Sequence, residues 1–400
     1  MEYERDNKDI FIKVREIIYL ICLGLFGIKK IFFGETLWKV AYPFLVEYET
    51  TITDIYENKL IYLLWFCIVL AFFTTKPKLL HILLAIFLVI AGKKASLIQG
   101  DVYIYLEMLF IVAAVGLSAK KLLVFWMSFN IPILVVTVIA SKLNVVENII
   151  EIGRNREFLG FVWTTTPVMI FAYAVFEYII LRKGELRMPE LVCICSLNVW
   201  LFLRTNTRFA FLIVFLVIGV FAVYKFSKEI RGFLRQIRHW LVALPWLFFS
   251  ITYISAVIYD QNDSVMSKFN HLLSNRLKQC NYSLQIYPLK PWGQFIEFVQ
   301  TRFATADNPA TYVDTAYLQI LLRFGYCIIT GYLILSSILI YRAFKERRVY
   351  IALVFITILV FGLFEQQLYW LQFDIILLLS FASWKSLPIA NAEKEYAGER

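Results

Sequence analysis

Charged residues are scarce in this chain of 400 residues. Only 18% of the residues are Asp, Glu, Lys or Arg, whereas 60% are hydrophobic and 17% are aromatic. A soluble chain of this length would need far more polar surface. The composition therefore excludes a soluble globular protein and predicts a polytopic membrane protein. We expect an all-α bundle, because a transmembrane helix satisfies its own backbone hydrogen bonds in hydrocarbon.

Cysteine and histidine are also few, at six and three residues. Cys193 and Cys195 point to different faces of a predicted helix, so we expect no disulfide and no structural zinc. The chain has no Gly-rich phosphate loop with Lys, no Gly-x-Ser-x-Gly elbow, no zinc-protease His pair and no Asp-x-Asp metal motif. We therefore expect no cofactor and no metal, and a substrate that arrives already activated.

A net charge of +10 raises the question of nucleic acid. The basic residues are scattered between apolar runs, and no basic domain could hold a duplex. Attraction to anionic membrane lipids and orientation of the helices account for most of the charge. The sequence thus predicts membrane lipids, and no nucleic acid, as partners.

Long apolar runs divide the chain into twelve candidate spans, since about 20 apolar residues cross a bilayer. The tenth is longer than a span, so its first turns should stand above the lipid or be buried by protein. We expect one integral membrane domain, residues 1–400. The predicted spans are 14–33, 59–75, 79–92, 102–118, 122–141, 160–181, 189–203, 209–225, 241–259, 315–342, 349–364 and 368–384.

Basic residues bias the orientation towards an N-terminus inside, and an even number of spans puts both termini on that side. Residues 386–400 would then form a cytoplasmic polar tail. Residues 260–314 would form the one long outer loop, with short helices at 264–280 and 294–303 and a Pro/Trp/Gly turn at 288–293. Long loops with their own structure are often functional.

Arginines cluster in the second half of the predicted outer side, where orientation statistics do not favour them. The planar guanidinium fork suits a diphosphate, to which it donates two hydrogen bonds. The alternative is snorkelling to the lipid surface and pairing with Glu151 or Glu157. The outer arginines are Arg154, Arg156, Arg204, Arg208, Arg276, Arg302 and Arg323.

Other polar side chains could complete a site on this side. Tyr282 could stack on a sugar ring or belong to an interfacial aromatic belt. His271 could act as a general base, although a solvated loop histidine is commoner. Asp314 is either a helix N-cap or a residue that positions a sugar or pairs with an arginine, and Tyr317 shares its helix face. The catalytic candidates are therefore His271, Asp314, Arg208 and Arg276.

Two carboxylates lie inside predicted spans, Glu107 in the fourth and Asp374 in the twelfth. Intramembrane carboxylates are functional candidates by default. Each lies about two turns below the outer surface, at ~1.5 Å rise per residue, and could pair with an arginine there.

Several elements in this order resemble the bacterial O-antigen and capsular polysaccharide polymerases (Wzy type), which are related to the O-antigen ligases. Arg156 to Phe161 resembles an Arg-x-x-x-Gly-Phe element that opens a helix. The turn 205–208 resembles Thr-x-Ser-Arg, with Thr207 for Ser. In the long loop, 275–277 and 292–293 fill the places of Gly/Ser-Arg-Leu and Phe/Trp-Gly. Residues 314–317 resemble Asp-Asn-x-Tyr, with Thr315 for Asn, and residues 163–165 depart from a common His-Pro-Asn.

The resemblance implies a GT-C-like membrane glycosyltransferase in the bacterial cytoplasmic (inner) membrane. Such an enzyme would move a growing glycan from undecaprenyl diphosphate to the non-reducing-end hydroxyl of the next lipid-linked repeat unit, with inversion and without metal. Arg154, Arg156, Arg204, Arg208, Arg276 and Arg323 would hold diphosphates, and Tyr282 and Tyr317 the sugars. A chain-length regulator and a flippase are candidate partners.

Three other functions stay open on the sequence. A lipid-linked oligosaccharide flippase or transporter would carry charged groups near the midplane and broken helices. A ligase-like glycan transferase would share the architecture but use another acceptor. A structural partner in an envelope complex would tolerate loss of the arginines.

Overall fold

Helices make up 73% of the protein in a computed structural model. The structure describes residues 2–75, 77–151, 153–273, 275–299, 305, 310–391 and 393. In the first half the helices are α1 (Glu2–Gly27, continued by a π-helical turn Ile28–Phe33), α2 (Trp38–Ala41), α3 (Leu45–Asp54), which runs through a π-helical turn (Ile55–Lys59) into α4 (Leu60–Thr74), α5 (Leu79–Gln99), α6 (Tyr103–Ala113), α7 (Ala119–Lys142) and α8 (Thr166–Leu181).

The second half is also helical. It contains α9 (Met188–Thr205), α10 (Arg208–Phe226), α11 (Lys228–Gln236), α12 (Arg238–Leu241), α13 (Leu244–Val257), α14 (Ser264–Leu272), α15 (Arg276–Ile286), α16 (Ala316–Lys345) and α17 (Val349–Phe361). A two-stranded antiparallel hairpin lies between α7 and α8, with β1 at Ile150–Glu151 and β2 at Arg156–Glu157.

Six helices in the described residues are long and apolar enough to cross a membrane. They are Leu45–Thr74, α5, α7, α9, α10 and α16, and α6, α8, α13 and α17 are shorter apolar helices. This architecture is compatible with a membrane protein, and it confirms the predicted helical class. The expected number of about twelve spans is not confirmed, and some bounds differ: α5 extends to Gln99, and the helix predicted from residue 160 begins at Thr166.

The twelfth predicted span is wrong. Residues 368–384 form two short 3-10 turns, Gln366–Tyr369 and Ile376–Ser380, joined by irregular chain. The segment is almost completely buried by protein, and Arg342 donates to the carbonyls of residues 379, 380 and 382. The Tyr103 hydroxyl accepts from the Leu371 N–H. The apolar composition of residues 368–384 therefore reflects burial against other helices. Irregular backbone is compatible with this burial because side chains supply the missing hydrogen-bond partners.

The loops sort into two ends of the bundle, as the predicted sides require. The loop end carries the turn between α9 and α10 and the described residues of 143–165 and 258–315, and the Arg156 guanidinium there donates to the Asn206 carbonyl. The tail end carries residues 182–187 and 227–243 and the described residues of 379–393, and Asn391 there donates to Glu185. Which end faces the cytoplasm stays a prediction, and so does the cytoplasmic tail, of which residues 392 and 394–400 lie outside the described part.

The long loop also differs from the prediction in detail. The helix expected at 264–280 is broken between α14 and α15, where Asn275 adopts a left-handed φ of 67°. The described residues 294–299, where another helix was expected, are not helical. The first turns of α16 are buried by protein, as one of the two expectations for the tenth span had it.

Helix α16 breaks at Gly325, which has φ 85° and ψ 171°. The Pro/Trp/Gly turn of the long loop lies across this break. The N–H groups of Tyr326 and Cys327 donate to the carbonyls of Lys290 and Pro291, at 3.2 and 3.1 Å, in place of helical acceptors.

In return, the Arg323 carbonyl accepts from the Gln294 N–H at 3.0 Å and from the Gln99 side chain at 2.6 Å. Gly293, with φ 79°, and Gly325 touch through their backbones. A methyl group on either glycine would overlap backbone atoms of the other segment. The loop and the helix break therefore need glycine at both positions.

We expect Gly293→Ala and Gly325→Ala each to destabilise the protein by roughly 2 kcal/mol or more, because the added methyl must displace backbone and the φ is unfavourable. Thermal unfolding in detergent and limited proteolysis of the long loop measure the effect. Gly219→Ala in α10 is the matched control, since nothing lies within 4 Å of its added methyl. Equal unfolding midpoints for Gly325→Ala and Gly219→Ala would contradict the role of the break.

Candidate functional site

The loop between α7 and α8 presents two of the predicted arginines. Arg154 is exposed in the turn of the hairpin, and Arg156 lies in β2. The following residues pair with the chain after α1: Leu37 N–H donates to the Gly160 carbonyl, and Val162 N–H donates to the Glu35 carbonyl, both at 2.9 Å. The Arg156-to-Phe161 element therefore ends in a strand-like contact and does not open a helix directly.

Arg156 lies at the centre of the loop end. Its guanidinium donates to the Asn206 carbonyl at 3.3 Å and lies 3.9 Å from the Glu151 carboxylate. Its Nε is buried and has no hydrogen-bond partner among the described residues. Burial, and next the charge of Arg154, lower the pKa of the Arg156 guanidinium. The group thus has donor capacity left for a ligand.

Arg208 lies close enough to Arg156 to interact with it electrostatically. It is the first residue of α10, its side chain is exposed, and it forms no ion pair in the described part of the chain. Thr207 before it makes no side-chain cap on the helix. Free N–H groups and the helix dipole favour an anion at such a terminus. We call Arg154, Arg156 and Arg208 the arginine group.

Arg276 is the first residue of α15, and it is mostly buried. Its Nε lies 2.9 Å from Asp314, and a terminal nitrogen lies 3.3 Å from Glu365. The guanidinium also donates to the Phe364 carbonyl and lies 4.6 Å from the centre of the Phe209 ring. Two carboxylates therefore neutralise Arg276, so it holds the site together and adds no surplus positive charge.

Glu365 is a site residue that the sequence analysis missed. It follows α17, is mostly buried, and interacts electrostatically with Arg156. Burial raises the pKa of its carboxyl to about 7; Arg276 opposes this and Asp314 adds to it. A carboxylate with a pKa near neutrality can take up a proton during a reaction. The sequence places Glu365 at the predicted outer end of a span, in a loop with no basic residue to pair with it, and this could have singled it out.

Of the roles expected for Asp314, the structure shows the pairing with an arginine and not the helix cap. Its carboxylate pairs with Arg276, and burial raises its pKa while Arg276 opposes the shift. The residue before α16 that could cap it is Thr315, whose hydroxyl instead donates to the Gly362 carbonyl. Asp314 thus positions Arg276 from the start of α16.

Arg204 and Arg208 belong to different surroundings, although the sequence groups them. Arg204 lies 3.1 Å from Glu157, whose carboxylate also accepts from Lys142 and Asn148. Consecutive strand residues face opposite sides of a hairpin. Glu157 therefore faces the side of Arg204, and Arg156 faces the side of Arg208. Arg204 thus makes the pairing with Glu157 that the sequence offered as the alternative to diphosphate binding, and another loop supplies this partner.

Tyr317, a predicted substrate-binding residue, lies in the protein core. Its side chain is fully buried, and its hydroxyl donates to the Leu359 carbonyl at 2.9 Å. It packs α16 against α17 and cannot reach a substrate. Arg323 is half-buried beside Tyr369 at the helix break, with its Nε unpartnered within the described residues.

The remaining candidates lie on the long loop. His271 is exposed on α14, and it has no hydrogen bond or ion pair within the part of the chain that the structure describes. Tyr282 is partly buried on α15. Arg302 lies outside the described residues.

Three buried carboxyl groups in the helical core form a second polar region. Glu107, Glu177 and Asp374 are buried, and Asp374 lies close enough to the other two to interact with both. One oxygen each of Glu107 and Asp374, and the hydroxyl of buried Tyr173, have no hydrogen-bond partner among the described residues. The expected arginine partners are not found within the described ranges, and Glu177 was missed.

Comparison with protein-family models, with curated proteins and with solved structures finds no match for this chain. The family resemblance therefore stays an expectation. The residues themselves define a helical protein of membrane-spanning composition. At one end it carries Arg154 and Arg208, which form no ion pair with a described residue, and the titratable Glu365 carboxyl.

Proposed function

We propose that this protein is a membrane glycosyltransferase that polymerises saccharide units carried on a lipid diphosphate. One observation carries the proposal: the arginine group includes Arg208 at the uncapped start of α10, and its Arg156 lies close enough to the mostly buried Glu365 carboxyl to interact with it electrostatically. Surplus guanidinium charge suits a diphosphate leaving group. A neighbouring group with a pKa of about 7 suits a proton acceptor.

In the proposed reaction the acceptor hydroxyl attacks the anomeric carbon of the growing chain. A new C–O bond forms, the bond from that carbon to the lipid diphosphate breaks, and the configuration inverts. The hydroxyl proton passes to the Glu365 carboxylate. The electron pair leaves on the diphosphate, whose charge Arg154, Arg156 and Arg208 stabilise.

Arg276 and Asp314 act as positioning residues in this scheme. The ion pairs of Arg276 hold Glu365 and Asp314 together and link the long loop to the base. Tyr282 and His271 on the same loop are left to contact the sugars. Because Arg204 is paired with Glu157, it supports the hairpin and does not bind diphosphate.

The location of the reaction and its partners are part of the proposal. The enzyme acts without cofactor or metal at the outer face of the bacterial cytoplasmic membrane, on undecaprenyl-diphosphate-linked oligosaccharide. It is a GT-C-like polymerase with both termini cytoplasmic. A flippase supplies its substrate and a chain-length regulator is a candidate partner. An O-antigen-ligase-like transferase would need the same arginine group, and differs in its acceptor.

Replacing Arg208 by Ala should lower polymerisation by roughly 10²–10³-fold, because a preorganised donor to the leaving group is lost. Arg208→Lys should rescue poorly, since an ammonium group cannot form two parallel hydrogen bonds. The measurement is chain length on gels with purified protein and a synthetic lipid-diphosphate repeat unit.

Arg204→Ala is the matched control at the other end of the same turn. Its activity should stay within about threefold of the native protein, because an exposed ion pair contributes little. Native-length chains made by Arg208→Ala at equal protein level would refute the diphosphate role.

Replacing Glu365 by Gln should lower the rate by about 10²–10⁴-fold if it is the general base. The native rate should fall as the pH drops through about 7, because the carboxyl takes up its proton there and can no longer accept one. The pH–rate profile of the native protein, Glu365→Gln and His271→Ala tests this. A His271→Ala variant that loses the pH dependence, with Glu365→Gln fully active, would make His271 the base.

A lipid-linked oligosaccharide flippase is the second candidate, and one observation favours it. Glu107, Glu177 and Asp374 are buried carboxyls, and one oxygen each of Glu107 and Asp374 has no hydrogen-bond partner among the described residues. Proton-coupled transporters carry such groups in the membrane interior. The broken helix α16 is a further feature of such folds.

The two functions leave different products in a deletion strain. Loss of a polymerase should leave single lipid-linked units on the outer leaflet, whereas loss of a flippase should leave them on the inner leaflet. Labelling with a membrane-impermeant lectin separates the two. We expect outer-leaflet accumulation, and complementation by Glu107→Gln but not by Arg208→Ala. Inner-leaflet accumulation would replace the polymerase by the transporter.

A further inference from the structure

A second charged region lies at the tail end, remote from the arginine group. It surrounds a cavity of about 950 Å³ between α11–α12 and the last turns of α16. Its polar lining is mostly basic, and it comprises Arg235, Gln236, Arg238, His239, Lys345, Arg347 and Glu393. The proposed reaction uses none of these residues.

Three of the cations in this lining have no ion-pair partner among the residues that the structure describes. Arg238, Lys345 and Arg347 are exposed, and none forms an ion pair with a described residue. Arg238 donates to its neighbour His239, and the Lys345 ammonium lies 5.6 Å from the Tyr341 ring centre. Unpaired cations around one cavity attract an anion.

The single carboxylate in the lining does not neutralise them. Glu393 is buried, and its oxygens are taken up by Arg235 and by the Tyr224 hydroxyl. Arg231 fixes this arrangement, since it donates to the carbonyls of Tyr224 and Lys225 at 3.0 and 2.7 Å. The cavity therefore keeps a surplus of positive charge in a rigid frame.

The cavity opens beside an amphipathic helix. Helix α11 and the start of α12 combine Lys228, Arg235 and Arg238 with apolar side chains that the protein leaves exposed. Phe233 is 57% exposed and Trp240 is 78% exposed. A short basic helix with exposed aromatic side chains lies in the membrane interface, with its apolar face among acyl chains. An occupant of the adjoining cavity is then reached from the lipid.

We infer that this cavity binds the phosphate headgroup of an anionic phospholipid. Arg238, Lys345 and Arg347 hold the phosphate, and the acyl chains lie along Phe233 and Trp240. Basic pockets between membrane helices bind such headgroups for the same reasons. A lipid here would tie the amphipathic helix to the end of α16 and so hold the tail end together.

The experiment uses the full-length protein in nanodiscs of phosphatidylcholine with increasing phosphatidylglycerol or cardiolipin. Thermal unfolding midpoint and lipid retention by native mass spectrometry are measured. Either anionic lipid should raise the midpoint and stay bound. The variant Arg238→Gln/Lys345→Gln/Arg347→Gln should weaken the apparent affinity for anionic lipid by about 100-fold, at ~1 kcal/mol for each cation removed.

The matched control is Lys13→Gln/Lys78→Gln/Lys120→Gln, which removes three exposed charges from the tail end outside the cavity. It should keep native lipid retention, and both variants should unfold with the native midpoint in pure phosphatidylcholine. Equal loss in both variants would reduce the effect to surface charge and overturn the site. Millimolar pyrophosphate that raises the midpoint in phosphatidylcholine as much as anionic lipid does would show a soluble-anion site instead.

Discussion

The buried guanidinium of Arg276 is the interaction on which the rest of the loop end depends. A buried charge is tolerated only with partners, and here Asp314, Glu365 and the Phe364 carbonyl supply them. The partners come from the start of α16 and the chain after α17, while Phe209 of α10 covers the guanidinium. One side chain therefore fixes the long loop against three helices. Without it, the mostly buried Glu365 and the partly exposed Asp314 would both lose their cation, and breaking a buried ion pair costs about 3–5 kcal/mol in typical proteins.

Ion pairs within the protein determine which arginines remain available to bind an anion. Arg276 and Arg204 pair with carboxylates of the protein, whereas Arg154 and Arg208 form no ion pair within the described ranges of the chain. The division follows from the alternation of side chains along β2, which sends Glu157 and Arg156 to opposite faces of the hairpin. Two arginines four residues apart can thus differ in role, because each meets a different neighbour across the loop end.

The helical class was predictable, because long apolar runs indicate membrane-spanning helices directly. The failures have one cause: a sequence shows that a residue is apolar or charged, but not what covers it. Residues 368–384 are apolar because protein surrounds them, and Tyr317 shares a face with Asp314 yet faces α17. The Arg204–Glu157 pair spans two loops, and the role of Glu365 needs Arg276 and Asp314 beside it. Such tertiary partners are invisible to periodicity.

The position of the break in α16 also sets the depth of the loop end relative to a bilayer. From Tyr326 to Lys345 the helix rises ~30 Å at 1.5 Å per residue, the thickness of the hydrocarbon core. With that part in lipid, Gly325 lies at the headgroup plane, and the backbone that holds the long loop lies at its level. The length of α16 between Tyr326 and Lys345 then sets the height of the arginines relative to the lipid phosphates. A chain that lengthened this stretch by one turn would lift the whole loop end ~5 Å away from the headgroup plane.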